Sequence, residues 1–293
     1  ELIISDDCSK DETQSIIKKY AETNKSLIKP LYRDKNIGSM ANFIDTFSYC
    51  QGKYIALCEG DDYWTDPLKL QKQVDFLEAN EDYGLVHTNF KIHNVNTGKT
   101  IINNGFYIDG QPFDEYLIGQ FHIATLTTCF RKDLLEKIDT SYLKQNFKMG
   151  DYPMWLEIMR ISKVKYLTDI TANYNQRDES ASHSKDPRKQ ILFLKNIWEI
   201  RLFFSEKYNR KNLTTIIKRY LYYYNSLLLI LERKYIKSFS FFLKARLLKR
   251  EYILPYFKLL IKEYTKRNYV SILKIVLSDL NYYLKLEKND TKH

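Results

Sequence analysis

The sequence predicts an α/β domain with a mostly parallel sheet, followed by an α-helical region. Three observations support this. Short β-rich runs alternate with helical patterns in the first part, apolar residues recur at helical spacing in the second, and the charge changes sign between them. Residues 1–189 carry 24 basic and 28 acidic side chains, a net charge of −4. Residues 190–293 carry 22 and 8, a net charge of +14. We therefore expect two parts, 1–189 and 190–293.

The β-rich runs and helical patterns of the first part follow one another in order. We predict strands at Leu2–Ser5, Tyr54–Cys58, Gly84–Phe90, Thr125–Phe130 and Val164–Thr168. We predict helices at Thr13–Glu22, Met40–Cys50, Leu68–Leu77 and Tyr152–Ile161. In sheets of this kind ligands bind beyond the carboxyl ends of the strands, so acidic residues directly after a strand are candidates for function.

The second part is predicted to be helical throughout. Apolar residues from Leu213 to Leu231 recur three and four positions apart, and further helices are expected at Phe239–Lys249, Pro255–Lys266 and Val270–Leu284. Pro255 suits the first turn of its helix. The most apolar stretch, 221–231, is about half of the ~20 residues that a membrane span needs. We therefore expect no transmembrane helix.

Composition limits the classes of protein that this chain can be. Of 293 residues, 44% are hydrophobic and 28% are charged, which supports a packed core and excludes a wholly disordered chain. The four cysteines are widely spaced, so neither a zinc site nor a disulfide scaffold is indicated, and a reducing compartment is favoured. The net charge of +10 favours an acidic partner. Nucleic acid, an anionic membrane and a phosphorylated substrate all remain open at this point.

Two acidic clusters follow predicted strands. Asp6 and Asp7 follow the first, where turn and helix-cap chemistry is one explanation and a carboxylate that binds a ligand N–H is the other. The second cluster, Glu59-Gly60-Asp61-Asp62, follows the strand that begins at Tyr54. Adjacent carboxylates repel each other, and a divalent cation removes that cost. Hard oxygen ligands of this kind suit Mg²⁺ or Mn²⁺ shared with the phosphates of a substrate.

These residues resemble a known family. The run Ser5-Asp6-Asp7 with Ser9, Asp11 and Thr13 is similar to the nucleotide-binding strand end of family 2 glycosyltransferases, which have the GT-A fold. Asn36-Ile37-Gly38, Ala41-Asn42 and Gly52-Lys53-Tyr54-Ile55 follow in the family's order. Asp61-Asp62 with Pro67 resembles its metal-binding motif, and Met149–Trp155 resembles its late acidic motif at a helix start. The resemblance covers residues 1–185.

The resemblance implies a role for each matching residue. Asp6, Asp7, Asn36, Gly38 and Asp61 would bind the nucleotide, while Asp62, with Asp61, would hold the metal. Asp151 would be the catalytic base of an inverting transfer; its alternative is a helix N-cap before Tyr152 and Pro153. The implied reaction moves a sugar from a UDP-sugar donor to a hydroxyl group of a saccharide or of a lipid-linked acceptor, in cell-surface polysaccharide synthesis. Mn²⁺ or Mg²⁺ is the implied cofactor.

Five further residues are weaker candidates. Arg177 and Ser182 resemble a family loop over the phosphates of the donor, and His183 in that loop is a candidate metal ligand, against the alternative of a solvated loop histidine. Trp64 and Trp155 are candidates for stacking on a sugar, although core packing is the commoner use of tryptophan.

One feature departs from the family pattern. The family opens with a strand and a loop that lie before the Asp-Asp motif, whereas here Asp6 is the sixth residue. We therefore expect that this chain is a fragment that lacks the family's first strand, and a noncatalytic remnant acting as a scaffold remains an alternative. A related nucleotidyltransferase also remains open.

The basic second part predicts where the protein works. We expect a cytoplasmic protein whose basic helices contact the anionic inner face of the plasma membrane. The alternatives are an ordinary solvated appendage and single-strand nucleic-acid binding through Tyr222-Tyr223-Tyr224 beside Lys218-Arg219. Because those tyrosines have the spacing of a helix core, we expect no nucleic-acid partner.

Overall fold

The computed structural model describes residues 1–105, 109–119, 123–145, 147–177, 184, 186–246 and 250–265. The chain divides into two compact units, residues 1–176 and 177–293. The elements of the first unit are β1 Leu2–Asp6, α1 Thr13–Thr23, β2 Ile28–Tyr32, α2 Ser39–Thr46, β3 Tyr54–Ala56, β4 Tyr63–Trp64, α3 Lys69–Ala79, β5 Tyr83–Asn94, β6 Thr100–Ile102, α4 Phe113–Ile118, β7 Cys129–Arg131, α5 Leu134–Lys137, α6 Asp151–Ile161 and β8 Lys163–Gln176. Short 3₁₀ helices lie at Phe47–Tyr49, Thr125–Thr127 and Thr140–Lys144.

The strands of the first unit form two sheets. β1 and β2 pair in parallel as a two-stranded sheet. The second sheet has the order β3-β7-β5-β8-β4, with β6 also paired to β5. The predicted α/β class is confirmed, but the sheet is mixed and not mostly parallel. Among the described pairings the two longest, β1–β2 and β5–β8, are parallel, whereas the four shorter pairings of β3, β4, β6 and β7 are antiparallel.

The β5–β8 ladder is the centre of the second sheet. Its register runs from Tyr83 opposite Lys163 to Asn94 opposite Gln176, with shifts on either side of Asn89. Such irregularities bend a strand, so β5 serves two neighbours along its other edge. β7 pairs with its first half at Leu85 and Val86, and β6 pairs with its second half. The two strands are therefore longer than the sequence predicts, because each forms a ladder beyond its hydrophobic run.

One part of the core of this unit is formed by α6 and the sheet, and another by α3 and the sheet. From Tyr152 to Met159 every residue of α6 is buried. Trp155 is 1% exposed and meets the Phe130 ring edge to face at 5.9 Å between centroids. A side chain enclosed in this way offers no face to a sugar, so the expectation that Trp155 stacks on substrate is wrong.

The strand predicted at Thr125–Phe130 forms only in part. Residues 125–127 are a 3₁₀ helix, and β7 begins at Cys129. The Thr127 hydroxyl donates to the Ala124 carbonyl at 2.6 Å, and the Thr128 hydroxyl donates to the Thr125 carbonyl at 2.8 Å. Local side-chain bonds of this kind compete with a strand ladder and favour a turn. The threonines here therefore form a turn in spite of their β propensity.

The second unit is helical, as predicted. It contains α7 Pro187–Lys207, α8 Lys211–Leu231, α9 Tyr235–Ala245 and α10 Arg250–Thr265. Asp186 caps α7 by accepting the Arg188 backbone N–H at 2.8 Å. The prediction that Pro255 opens its helix is wrong, because α10 begins five residues earlier and Pro255 lies inside it. The next two residues, Tyr256 and Phe257, are buried in the helical core and hold this segment in place.

Some predictions for the second part reach beyond the described residues. The helix predicted at Val270–Leu284 lies outside them. Among the helices that the structure does describe, none has the length and apolar character that crossing a bilayer requires.

We expect Gly84→Ala to destabilise the first unit. A Cβ at Gly84 would lie 2.3 Å from Ser162 Oγ and 2.6 Å from Leu134 Cδ1, so β5 or its neighbours must shift. Overpacking of this kind costs about 1–3 kcal/mol. Gly60→Ala is the matched control, because its Cβ would meet nothing within 4 Å. The measurement is the urea concentration at the midpoint of unfolding, followed by tryptophan fluorescence. It should fall below the wild-type value only for Gly84→Ala, and equal midpoints for the two variants would contradict the packing described.

Candidate active site

Asp6 ends β1 and holds the turn into α1. Its buried carboxylate accepts the Ser9 backbone N–H at 3.1 Å and the Gln14 side-chain amide at 2.7 Å. Burial by itself would raise the pKa of Asp6, but these hydrogen bonds outweigh burial and lower it. Asp6 is therefore a charged residue at the end of the first strand, and its place beside a nucleotide stays a prediction.

Asp7, Asn36 and Gly38 lie together, as the sequence predicts. The Asp7 carboxylate accepts the backbone N–H of Ile37 at 2.8 Å and that of Gly38 at 2.9 Å. The Asn36 side-chain amide donates to the Asp7 carbonyl at 3.0 Å. Gly38 has a φ of 91°, which residues with a Cβ rarely adopt, so glycine is what permits this loop. Three of the residues predicted to bind nucleotide thus form one network at the end of β1.

The second acidic cluster forms a turn between β3 and β4. The Asp62 backbone N–H donates to the Glu59 carbonyl at 3.1 Å, which closes the turn. β4 then pairs with β8, placing Tyr63 opposite Asn173. Farther along β8, the Asn175 backbone N–H donates to Asp62 Oδ1 at 2.7 Å, and its side-chain amide donates to the Asp61 carbonyl at 2.6 Å. Asn175 therefore holds both aspartates at the end of the central ladder.

Asp151 is the first residue of α6 and lies near this turn. Gly150 occupies the N-cap position, so the N-cap alternative for Asp151 is wrong. The Thr125 hydroxyl donates to Asp151 Oδ2 at 2.8 Å, and the Tyr152 backbone N–H donates to Oδ1 at 2.8 Å. The positive end of the helix also favours a negative charge here. Both oxygens of this carboxylate are therefore oriented by hydrogen bonds.

Glu59 shows how closely the carboxylates are grouped. Its pKa is raised to about 7, chiefly because its carboxyl group is desolvated, and the negative charges of Asp62 and Asp151 contribute. A hydrogen bond with Thr125 acts in the opposite direction. Glu59 is exposed as a residue, so water weakens both the desolvation and the charge interactions that raise this pKa. Thr125 thus links Glu59 with Asp151.

Comparison with known proteins shows which family the chain belongs to. Residues 1–138 match the family described as glycosyl transferase family 2. The putative teichuronic acid biosynthesis glycosyltransferase TuaG of Bacillus subtilis (strain 168) is 35% identical over 198 residues, which cover 63% of this chain and 71% of that protein. The chain belongs to glycosyltransferase family 2.

Other relatives match this chain over different shares of their own length. The UDP-Glc:alpha-D-GlcNAc-diphosphoundecaprenol beta-1,3-glucosyltransferase WfaP of Escherichia coli is 25% identical over 67% of this chain and 73% of that protein. The uncharacterized protein Rv1520 of Mycobacterium tuberculosis (strain ATCC 25618 / H37Rv) is 54% identical over 82 residues, 28% of this chain. The chain spans only about a quarter of the length of such mycobacterial relatives, 24% of Rv1520.

A solved structure supports the GT-A fold. The mannosyltransferase PcManGT of Pyrobaculum calidifontis, in complex with GDP-Man and Mn²⁺, aligns with a TM-score of 0.51 at 16% identity. The alignment covers 92% of this chain and 78% of that one. At this level of identity the likeness concerns the fold, and it confirms the fold expected from the sequence.

The acidic turn of this family 2 member has the donor set that a hard divalent cation prefers. Asp61 and Asp62 supply carboxylate oxygens, and Mg²⁺ or Mn²⁺ in such sites is held by one or two carboxylates together with substrate phosphates and water. Within the described part of the chain, no three His, Cys, Asp or Glu side chains are grouped as a ligand set. The residues therefore fit a cation that is shared with a substrate better than one enclosed by protein alone.

The remaining predicted residues are placed unevenly. Trp64 is half-buried; its indole N–H donates to the Leu126 carbonyl at 2.9 Å. Its sugar-stacking role stays a prediction. Arg177 follows β8 and is exposed, whereas Ser182 and His183 lie outside the described residues.

Sequence reasoning missed Glu59 as a group in its own right, and it also missed Thr125 and Asn175. The available signal for these residues was a polar side chain that lies between hydrophobic runs or shortly after one. Many residues fit that description, and only the order of the strands shows which of them lie in the same site.

A buried lysine lies beneath the acidic turn. Lys69, the first residue of α3, is 1% exposed, and its ammonium donates to Gln73 Oε1 at 2.7 Å and lies 4.5 Å from the centre of the Trp64 ring. Burial lowers the pKa of Lys69 to about 8. Gln73 in turn donates to the carbonyls of Val86 and Thr127. Lys69 therefore links the helix after the turn to the strands that carry the site.

We expect Lys69→Met to remove a pH-dependent part of the stability. Because the pKa of Lys69 is about 8 in the folded state and 10.5 ordinarily, the unfolded chain takes up this proton first as the pH falls. As the pH falls from 10.5 to 8, the free energy of unfolding of the wild type should therefore decrease by roughly 1–3 kcal/mol. That of the variant should decrease by less.

The measurement is the difference between urea midpoints at two pH values near 10 and 8. This difference cancels the constant cost of leaving Gln73 without its donor. Lys18→Met, an exposed substitution on α1, is the matched control and should keep the wild-type difference. A Lys69→Met difference equal to that of the wild type would contradict the prediction.

Proposed function

We propose that this protein is a metal-dependent, inverting glycosyltransferase. It transfers a sugar from a nucleotide-sugar donor, a UDP-sugar, to a hydroxyl group of an acceptor. The acceptor is a saccharide or is lipid-linked, and the reaction belongs to cell-surface polysaccharide synthesis. The observation that carries the proposal is the Asp151 carboxylate, oriented by Thr125 and Tyr152, beside the turn that bears Asp61 and Asp62. A base and an acidic cation site close to each other are what this reaction requires.

Asp151 is the base in this proposal. Inverting transfer requires a carboxylate that accepts the proton of the acceptor hydroxyl as its oxygen attacks the anomeric carbon. The hydrogen bonds from Thr125 and Tyr152 fix the direction of the two carboxylate oxygens. Glu59, with its raised pKa, keeps the negative charge beside Asp151 lower than four ionised carboxylates would make it.

Asp62 and Asp61 would hold the cation. When bound, Mn²⁺ or Mg²⁺ supplies positive charge to the diphosphate of the departing nucleotide. Asn175 keeps the turn in place through its backbone N–H and its side-chain amide. That PcManGT was solved with GDP-Man and Mn²⁺ supports a divalent cation here. His183, outside the described residues, stays a candidate for a further ligand.

The proposed donor site combines the second acidic turn with the end of β1. In this proposal Asp6, Asp7, Asn36 and Gly38 contact the nucleotide, and Arg177 and Ser182 contact its phosphates. The loop of Asn36 and Gly38 is already held by the Asp7 carboxylate, so the contacts to the base would be made by an ordered loop. Trp64, beside the second turn, is the remaining candidate for contact with the sugar.

The choice of donor and acceptor follows the relatives. WfaP, by its name, uses UDP-Glc and a diphosphoundecaprenol-linked acceptor, and TuaG is named for teichuronic acid synthesis. We therefore propose a UDP-sugar donor and an acceptor of the same chemical class. A cytoplasmic enzyme that works at the inner face of the plasma membrane fits such an acceptor.

The base is tested by Asp151→Asn and Thr125→Val. The first variant should lower kcat by about 10²–10⁴-fold, since it removes the proton acceptor. The second should lower kcat by about 10- to 100-fold and leave the KM of the donor close to the wild-type value, since it only releases one oxygen from its orientation. Release of nucleoside diphosphate from a panel of UDP-sugars with Mn²⁺ and saccharide acceptors measures both.

Asp133→Asn is the control for these two variants. Asp133 is an exposed aspartate whose partner is Lys137 on the same helical segment, and its substitution should leave the rate unchanged. Wild-type turnover by Asp151→Asn would overturn the assignment of the base. A wild-type protein that binds no nucleotide sugar would instead favour the noncatalytic scaffold.

The cation site is tested by Asp62→Asn. We expect a loss of roughly 100-fold or more in transfer rate at low Mn²⁺, because a carboxylate ligand is replaced by a neutral amide. Asn175→Ala is the comparison: it keeps the backbone N–H that holds Asp62, so its loss should be much smaller. Rates across a Mn²⁺ titration, with Mn²⁺ binding followed by electron paramagnetic resonance, measure the effect. Equal Mn²⁺ affinity in Asp62→Asn and wild type would refute this ligand.

A further inference from the structure

The outer face of α9 carries two exposed apolar side chains. Ile236 is 92% exposed and Leu243 is 43% exposed. They lie seven residues apart, which places them on one side of the helix. Ser240 lies between them on the same side and is also exposed. We call these three residues, together with Lys237 and Lys244, the α9 outer face.

The exposure of this face does not result from a loosely attached helix. Ser238, Phe242 and Ala245 on the opposite side are buried. The Ser238 hydroxyl donates to the Ser226 carbonyl at 2.9 Å, and the Phe242 ring stacks on Tyr256 with centroids 4.1 Å apart. The helix is thus firmly packed by one side, and Ile236 is directed away from that packing.

The α9 outer face and its ends are strongly basic. Lys237 and Lys244 lie on it, and Arg233, Lys234 and Arg246 flank the helix. From residue 232 to residue 246 the chain has five basic side chains and one acidic side chain. That one, Glu232, pairs with Lys234 at 2.9 Å and with Arg188 at 3.5 Å. A net positive charge therefore surrounds the exposed Ile236 and Leu243.

We propose that the α9 outer face binds an anionic lipid surface. Isoleucine and leucine would enter the boundary between headgroups and acyl chains while the lysines and arginines contact lipid phosphates, a combination typical of helices that lie in the plane of a membrane. α9 has 11 residues, which suits a helix that lies on a bilayer and does not cross it.

Single-stranded nucleic acid is the less favoured occupant. The aromatic residues that would stack on bases are partly withdrawn into the helical core: Tyr223 is 4% exposed, and Tyr222 meets the Phe241 ring at 5.8 Å. Nucleic acid also offers no apolar layer to cover Ile236. The charge and the apolar pair together therefore fit a bilayer better.

This inference deepens the proposed function, since it rests on the acceptor being lipid-linked, but it concerns location and not the chemistry of the site. The experiment is flotation of the whole protein with vesicles of phosphatidylcholine alone and of phosphatidylcholine with phosphatidylglycerol in equal amounts. We expect binding only to the second kind, and release at high salt. Binding to neither kind, or equal binding to both, would overturn the proposal.

Variants locate the binding on α9. Ile236→Ser should weaken vesicle affinity by about tenfold, because one buried aliphatic side chain is lost. The double variant Lys237→Gln, Lys244→Gln should weaken it by about 10- to 30-fold. Ile216→Ser, at an apolar position 36% exposed on α8, is the matched control and should bind as the wild type does. Unchanged binding by the α9 variants, or an equal loss in the control, would refute the surface.

Activity separates this inference from the proposed function. The α9 variants should transfer sugar to a water-soluble acceptor at the wild-type rate, with the same melting temperature. If the wild type transfers no sugar but still binds vesicles through Ile236, the surface stands and the proposed function fails. If the α9 variants lose binding to single-stranded RNA while the wild type ignores vesicles, nucleic acid replaces lipid as the occupant.

Discussion

The parallel ladder between β5 and β8 is the constraint on which the acidic site depends. β8 carries β4 on its other edge, and near its end Asn175 holds the turn of Asp61 and Asp62. β5 carries β7, which in turn carries β3, the strand that leads into the same turn. Because both ends of the turn are attached to this one ladder, its carboxylates stay close to each other in spite of their repulsion.

The site balances several negative charges that would otherwise repel each other. The protein relieves this in two ways: backbone and side-chain donors serve Asp62 and Asp151, and the pKa of Glu59 rises to about 7. Burial of Lys69 has an energetic cost of its own, which its lowered pKa reflects. Natural proteins commonly retain such unfavourable groups where function requires a particular electrostatic environment.

Charge is divided unevenly between residues 1–189 and residues 190–293. The first part of the chain has a net charge of −4 and contains the carboxylates of the site, whereas the second has a net charge of +14. The overall value of +10 therefore describes neither. Under the two proposals the chain binds phosphates in two different ways: the basic helices bind lipid phosphates by side-chain cations, and the acidic turn binds the donor phosphates through a metal.

The sequence by itself determined the alternation of strands and helices and the helical second part, because local periodicity predicts both. It also determined the order of the acidic motifs, which is simply their order along the chain. It also brought Asp7, Asn36 and Gly38 into one prediction, which their hydrogen bonds confirm as a neighbourhood. It did not show the short strands β4 and β6 or the turn at Thr125, whose two or three residues have too little pattern. Only the tertiary structure decided that Trp155 is core while Trp64 borders the turn, and that Thr125 and Asn175 serve the carboxylates. Such facts depend on which strands become neighbours, and strand order is set by contacts distant in the chain.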